Sequence, residues 1–235
     1  EPAEIAGQSV TISASVGVAL IPAHGSTVDE LLANADLALY AAKDAGRAAV
    51  SLFVPELGER SRRRAQVEQE LRSALANDEF TLHWQPQRAA DSTAYRGAEV
   101  LLRWRNPRLG NVSPSEFIPI AEDTGDIVAI GEWVLSEACR VASTELDELP
   151  ISVNVSPRQL QRSDFVQQVR RTLEVSGLPP ARLELELTES LFMKDAADSL
   201  RKMHRLRGLG VRVALDDFGT GYSSLAYLRR FPFDT

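Results

Sequence analysis

Short apolar runs that break into oxygen-bearing side chains recur along this chain, and they restrict it to a narrow set of architectures. Val211 to Leu215 leads straight into Asp216 and Asp217, followed by the glycine-rich stretch Phe218-Gly219-Thr220-Gly221. Adjacent aspartates at the end of a buried strand repel one another and are costly to desolvate, so the pair calls for a positive charge, most simply a divalent cation. Three upstream runs repeat the pattern. Glu99 lies in Ala98-Glu99-Val100-Leu101-Leu102-Arg103, Asn154 ends Ile151-Ser152-Val153-Asn154, and Glu186 and Glu189 lie in Leu183-Glu184-Leu185-Glu186-Leu187-Thr188-Glu189. Period two places Ser152 with Asn154, Glu184 with Glu186, and Ala214 with Asp216 on one face of each strand, opposite the bulky aliphatics.

Segments of helical periodicity separate these runs, at residues 127–146, 164–174 and 197–207. Strands alternating with helices imply an α/β fold with parallel pairing, and a (β/α) barrel collects functional residues at the C-terminal ends of several strands. Glu99, Asn154, Glu186, Asp216 and Asp217 are therefore expected to converge at one rim. Five oxygen donors without a nearby thiol or imidazole match a hard ion, Mg²⁺ or Mn²⁺. An internal polar network without a cation would gather four acids at strong electrostatic cost. A glycosidase pair facing each other across a sugar has no counterpart in the Asp-Asp and Gly-Thr-Gly arrangement.

From about Gln69 onward the chain resembles an EAL-type cyclic-di-GMP phosphodiesterase domain. The resemblance is carried by Glu99-Val100-Leu101, Leu102-Arg103-Trp104, Phe117-Ile118-Pro119-Ile120-Ala121-Glu122, Asn154-Val155-Ser156, Glu186-Leu187-Thr188-Glu189 and the stretch from Asp216 to Leu225. It implies an incomplete (β/α) TIM-type barrel that hydrolyses cyclic-di-GMP to linear pGpG with two metal ions. Glu99, Asn154, Glu186 and Asp216 would be metal ligands, Asp217 would serve the second metal, and Glu189 would anchor the loop that follows Asp216. Arg103 would meet a substrate phosphate, for which a guanidinium fork is well shaped. Gln85 and Leu101 would line the substrate pocket. A silent cyclic-di-GMP receptor is the alternative, and the intact set of acids and loop glycines favours the enzyme.

The chain departs from the family pattern at Val100, which replaces the alanine of the naming triplet on the strand face opposite the ligand. It also stops at Phe233-Asp234-Thr235, before the lysine and the later glutamate that the family places beyond this point. On that ground the chain is expected to be a fragment that hydrolyses substrate inefficiently alone, within a longer protein that is dimeric.

Upstream, residues 10–19 alternate like a strand and residues 27–45 form an amphipathic helix with Asp29 and Glu30 in its first turn, stopped at Gly46. Ala35-Asp36-Leu37-Ala38-Leu39-Tyr40-Ala41-Ala42-Lys43 before Gly46-Arg47 resembles the C-terminal part of a GGDEF (diguanylate cyclase) domain, an α+β fold, without its signature loop, so no cyclase activity is assigned. The expected division is 1–54 for this partial domain, 55–68 for a linker helix, and 69–235 for the EAL-like part. The basic run from Arg60 to Arg64 reads as a solvated face of the linker, because it is short, lacks interleaved aromatics and is followed by Glu68 and Glu70.

A formal net charge of -7 argues against polymeric nucleic acid as a partner, since backbone binding needs a broad positive field. No apolar run approaches a membrane span and no signal-peptide pattern opens the chain. With the single Cys139, these features fit a reducing cytoplasm, an upstream anchor remaining open. Cys139 itself reads as a small core residue, Glu184 as a salt-bridged barrel residue rather than a ligand, and Ser113 as a helix cap. His24, His83 and His204 have no ligand spacing and read as ordinary loop or surface residues.

Overall fold

The computed structural model describes residues 3–5, 8–10, 13–88, 94–146, 148–188, 196–216 and 231–235. The chain divides into two compact units, Glu1–Val67 and Glu68–Thr235.

In the first unit β1 (Ala3–Ile5) pairs antiparallel with β2 (Gln8–Val10). The parallel pair β3 (Val16–Val18) and β4 (Val50–Leu52) is joined by the crossover helix α1 (Val28–Asp44). Thr27 caps α1 in a reciprocal box with Glu30, which satisfies two orphan backbone donors at once. The backbone N–H groups of Ser26 and Thr27 hold the Glu30 carboxyl below its usual range. Gly17 is required where β3 meets α1, because a Cβ there would fall 2.0 Å from the Ala35 carbonyl oxygen. Helix α2 (Pro55–Ala74) carries the chain into the second unit.

The second unit continues with β5 (Phe80–Arg88), β6 (Tyr95–Asn106), β7 (Gly110–Val112), α3 (Pro114–Thr124), α4 (Ile127–Thr144) and β8 (Ile151–Val155). Then come α5 (Pro157–Gln161), α6 (Phe165–Ser176), a single 3-10 turn at Pro180–Arg182, β9 (Leu183–Thr188), α7 (Ala196–Gly208) and β10 (Arg212–Asp216). The sheet order is β10-β9-β8-β6-β5, with β7 on β6. Strands β6, β8, β9 and β10 are mutually parallel, as the alternation of strands and helices predicts. Strand β5 departs from that rule and runs antiparallel to β6. The stretch from Arg88 to Tyr95 is too short to hold a crossover helix, so a hairpin is the geometry open to it. Together these elements form a partial TIM-type barrel.

The sheet is buried on its helix side. Val100, Ile151, Val153, Val155, Leu183, Leu185, Leu187 and Val213 are all buried, with α3 packed on β6, α4 on β8 and α7 on β10. Cys139 lies fully buried in α4, where burial pushes its thiol up to about 12 and leaves it inert as a nucleophile. Two cations serve the frame rather than a ligand. Arg182 donates to the carbonyl of Ala142 in the last turn of α4 and to those of Leu146 and Leu149 beyond its end. Lys202 in α7, 5% exposed, donates to the Leu160 and Gln161 carbonyls at the end of α5 and pairs with Asp198. Ser113 stands at the N-cap position of α3 as expected, but its hydroxyl meets Ser115 at 2.8 Å and makes no capping bond.

Trp104 fastens one end of the sheet. It is 1% exposed, packs tilted against Phe80 and edge-on to Phe117 at 6.0 and 5.4 Å between ring centres, and donates Nε1–H to Glu79 at 2.8 Å. Replacing Trp104 by alanine is expected to remove about 3–5 kcal/mol of stability. A shift of the urea midpoint at unchanged slope measures it, and an unchanged midpoint contradicts the assignment.

Candidate active site

The polar face of the sheet is built by strand parity and register. Glu99 lies opposite Ser152, and Ser152 opposite Glu184, which lies opposite Arg212. Two residues further along, Asn154 lies opposite Glu186, which lies opposite Ala214. Asp216 follows Ala214 by two more. All share one face because side chains alternate with period two, and Gln85, opposite Glu99, shares it too.

Measured along the register, the four candidate ligands climb by two residues from Glu99 to Asn154, by none to Glu186, and by two to Asp216. That is four residues over three strand steps. A TIM barrel has a shear of 8 over eight strands, so positions at equal height climb about one residue per strand. Pleating allows only even steps on one face. The diagonal from Glu99 to Asp216 is therefore what barrel tilt requires of side chains gathered at one level, even though Glu99 sits mid-strand in β6.

Contacts are consistent with that gathering. Asn154 Nδ2 donates to Glu99 Oε1 at 2.9 Å. The Glu186 carboxyl is pushed up to about 7, first by burial and then by the negative charges of Glu99, Asp216 and Glu184, against a hydrogen bond with the Ser152 side chain. Acidic neighbours that raise the proton affinity of Glu186 amount to an electrostatic demand for a cation. All the donors are hard oxygens, which suits Mg²⁺ or Mn²⁺, and an asparagine that gives its NH₂ to Glu99 still has a carbonyl oxygen to offer. Among the described residues, no group of three or more His, Cys, Asp and Glu is drawn together as an ion would require. The donor chemistry fits the ion.

Leu101 and Arg103 continue the face of Glu99 along β6, opposite His83 and Thr81. Arg103 spends one guanidinium N–H on the Leu102 carbonyl at 2.9 Å. Glu189 and Asp217, with the glycine-rich stretch after Asp216, lie outside the described residues.

Glu184 is held as a salt-bridged wall residue, 3.2 Å from Arg212, as expected from its strand position. The partners around it were not visible to sequence reasoning. Ser152 Oγ donates to Glu184 Oε1 at 3.3 Å and Thr235 Oγ1 to Oε2 at 2.9 Å. Residues 231–235 reach this place by running along β10, with Asp234 N–H on the Val213 carbonyl and Leu215 N–H on that of Thr235. Gln159 was also missed, although the Ser-x-x-Gln spacing after Asn154 is a capping-box signature. It closes that box with Ser156 and is 5% exposed. It packs so tightly on α4 that a Cβ at Gly131 would lie 2.0 Å from its Nε2.

Comparison with known proteins names the family of this partial α/β barrel with its acid-lined face. The sequence model of the EAL domain matches residues 68–235, and that of the diguanylate cyclase GGDEF domain matches residues 1–49. The chain belongs to the EAL domain family, with part of a GGDEF domain before it. It is 44% identical to the bifunctional diguanylate cyclase/cyclic di-GMP phosphodiesterase MucR of Pseudomonas aeruginosa, over 99% of this chain and 34% of that protein. It is 37% identical to the cyclic di-GMP phosphodiesterase PdeR of Escherichia coli, over 96% of this chain and 34% of that protein. A solved structure described as the PaMucR phosphodiesterase in complex with c-di-GMP superposes with a TM-score of 0.68 at 45% identity, covering 72% of this chain and 70% of that one. The chain spans about a third of the length of these curated relatives. No described helix is long and apolar enough to cross a membrane.

The elevated Glu186 gives the metal-free protein a pH signature. The folded state keeps this proton up to about pH 7, whereas the unfolded chain loses it near the usual 4.5. Glu186 therefore contributes stability that is full below pH 4.5 and lost as pH rises through 7. In EDTA, the stability of the wild type should fall across that window relative to Glu186→Gln, read as urea midpoints at several pH values. Parallel profiles for the two proteins would show that the carboxyl is not elevated.

Proposed function

We propose that the EAL part of this chain, within a longer GGDEF–EAL protein, hydrolyses cyclic-di-GMP to linear pGpG at the face that carries Glu99, Asn154, Glu186 and Asp216. The observation that carries this reading is the placement of all four on one face along the barrel diagonal, with Glu186 elevated by its acidic neighbours. Relatives named as cyclic di-GMP phosphodiesterases support the substrate. The same reading divides the chain into a partial GGDEF domain at 1–54, a linker helix at 55–68 and the EAL part at 69–235.

The reaction adds one water across one phosphodiester bond, leaving a 5′-phosphate and a 3′-hydroxyl where the ring opens. Glu99, Asn154, Glu186 and Asp216, with Asp217 for a second ion, would hold two Mg²⁺ or Mn²⁺. Bound there, such ions would lower the pKa of a water and neutralise charge on the phosphorus oxygens. The chain's own groups do the rest. Arg103 retains most of its five N–H donors for a phosphate, and its planar fork suits two oxygens at once. Leu101, between Glu99 and Arg103 on the same face, offers an apolar surface to a base, and Gln85 offers an amide across from Glu99. Glu189 would anchor the loop after Asp216. With a net charge of -7, the protein has little positive field of its own for an anionic substrate, so the cations and Arg103 are the local attraction.

In the full-length protein supplied with Mn²⁺, Glu99→Ala and Asp216→Ala should each reduce pGpG formation to background while far-UV circular dichroism stays unchanged. Arg103→Lys keeps the charge and loses the fork, so its KM should rise by about tenfold, the cost of one charge-assisted hydrogen bond of roughly 1.5 kcal/mol. Unchanged turnover in Glu99→Ala or Asp216→Ala rules out the reading. A wild type that binds cyclic-di-GMP but never cleaves it with either metal would make the protein a receptor.

A further inference from the structure

Strand β5 brings one ring onto the polar face of the sheet, beside the residues assigned to the substrate. His83, which reads from the sequence as an ordinary loop or surface residue, stands within β5 directly opposite Leu101 on β6. It shares its face with Gln85, opposite Glu99, and with Thr81, opposite Arg103. Directly opposed residues hold their Cβ atoms about 4.5–5.5 Å apart, and diagonal neighbours, here Glu99 and Arg103, lie about 7–8 Å away. The imidazole therefore stands in the middle of the substrate-side row. His83 is exposed, and among the described residues none bonds to its ring nitrogens. The strand beneath it is held along its length. On its other face Phe80 packs against Trp104, Phe117 and Trp133 at 6.0, 5.9 and 6.2 Å between ring centres, and pairing with β6 runs from Phe80 to Arg88.

We propose that His83 is a specificity-determining residue for the substrate base, its imidazole and the Leu101 side chain forming one continuous floor on which a purine of the dinucleotide lies. A purine is a broad, flat π-surface, and bases stack on aromatic side chains, histidine among them. Opposed Cβ atoms so close leave no gap for a base between the two side chains, so they can only meet it side by side. Leucine alone offers apolar contact without a plane, and the imidazole supplies the plane. Arg103 stands two residues beyond Leu101 on β6, about 6.8 Å along the strand. A phosphate held there and a base on the floor are then separated by about the reach of one sugar. Gln85 lies two residues from His83 in the other direction, where its amide, donor and acceptor at once, can meet the edge of the same base.

This inference rests on the reading of this face as the cyclic-di-GMP site, and the experiment separates the two. KM and kcat are measured for the full-length protein with Mn²⁺, and if the wild type binds without cleaving, the Kd for cyclic-di-GMP under the same conditions takes the place of KM. His83→Ala should raise KM by about 5–100-fold, the range of one base–aromatic stack. Its kcat should stay within about twofold of wild type, because a floor holds the ground state and the transition state alike. His83→Phe restores a plane without the nitrogens and should return KM to within about threefold of wild type. His83→Asn keeps a polar side chain without the ring, so it should match the alanine variant, and it decides the matter if that variant does not fold. A wild-type KM in His83→Ala or His83→Asn, or a phenylalanine variant as weak as alanine, overturns the base floor while cleavage by the wild type leaves the site reading intact. A wild type that neither binds nor cleaves cyclic-di-GMP overturns both.

Discussion

When helices bury one side of a parallel sheet, the pleat sends every polar side chain to the other. Val153, Val155, Leu185, Leu187 and Val213 occupy the helix side with no more than 5% exposure. The alternating positions carry Ser152, Asn154, Glu184, Glu186 and Asp216. Apolar burial, worth roughly 25 cal/mol per Å², locks the register, because a one-residue slip would turn the acids into the core. Like charges are thus held on one face by packing on the far side of the sheet. Without that packing they would separate.

The face is graded from wall to rim. In the wall, Glu184 is neutralised by Arg212, Thr235 and Ser152, and it behaves as structure. At the rim, Asn154 donates to Glu99, while Glu186 stays elevated by burial and by acidic neighbours. A protein that satisfied every acid would have no use for a cation, and one that satisfied none would unfold at neutral pH. The graded arrangement settles the wall acid with partners and leaves Glu186 raised among acidic neighbours at the rim, which is the condition that the proposed ion site requires. Barrel tilt sets how far along each strand a side chain must stand to share one level, and on that diagonal Glu99 is mid-strand while Asp216 ends β10.

The framework around this face relies on long cationic side chains that finish helices. Arg182 and Lys202 donate to carbonyls in the last turn of α4 and at the end of α5, groups that no further helical turn satisfies. Gln159 and Gly131 fix the start of α5 directly after Asn154 by close approach. These contacts place the loop side of β8 without contributing a ligand.

Much of this was legible in the chain itself. Period two in residues 151–155, 183–188 and 212–216 identified both faces of three strands, and the acids at the polar positions announced the chemistry, because alternation is a local property of the backbone. The helix α1, with Asp29 and Glu30 in its first turn, and the buried Cys139 were equally local. What the tertiary structure alone decided is non-local: the antiparallel turn of β5 against β6, the diagonal from Glu99 to Asp216, and the meeting of Glu184 with Thr235 and with Ser152 across 51 and 32 positions of sequence. Such pairings depend on strand order, register and tilt, which arise from the summed packing of the whole sheet and leave no mark in any short stretch of residues.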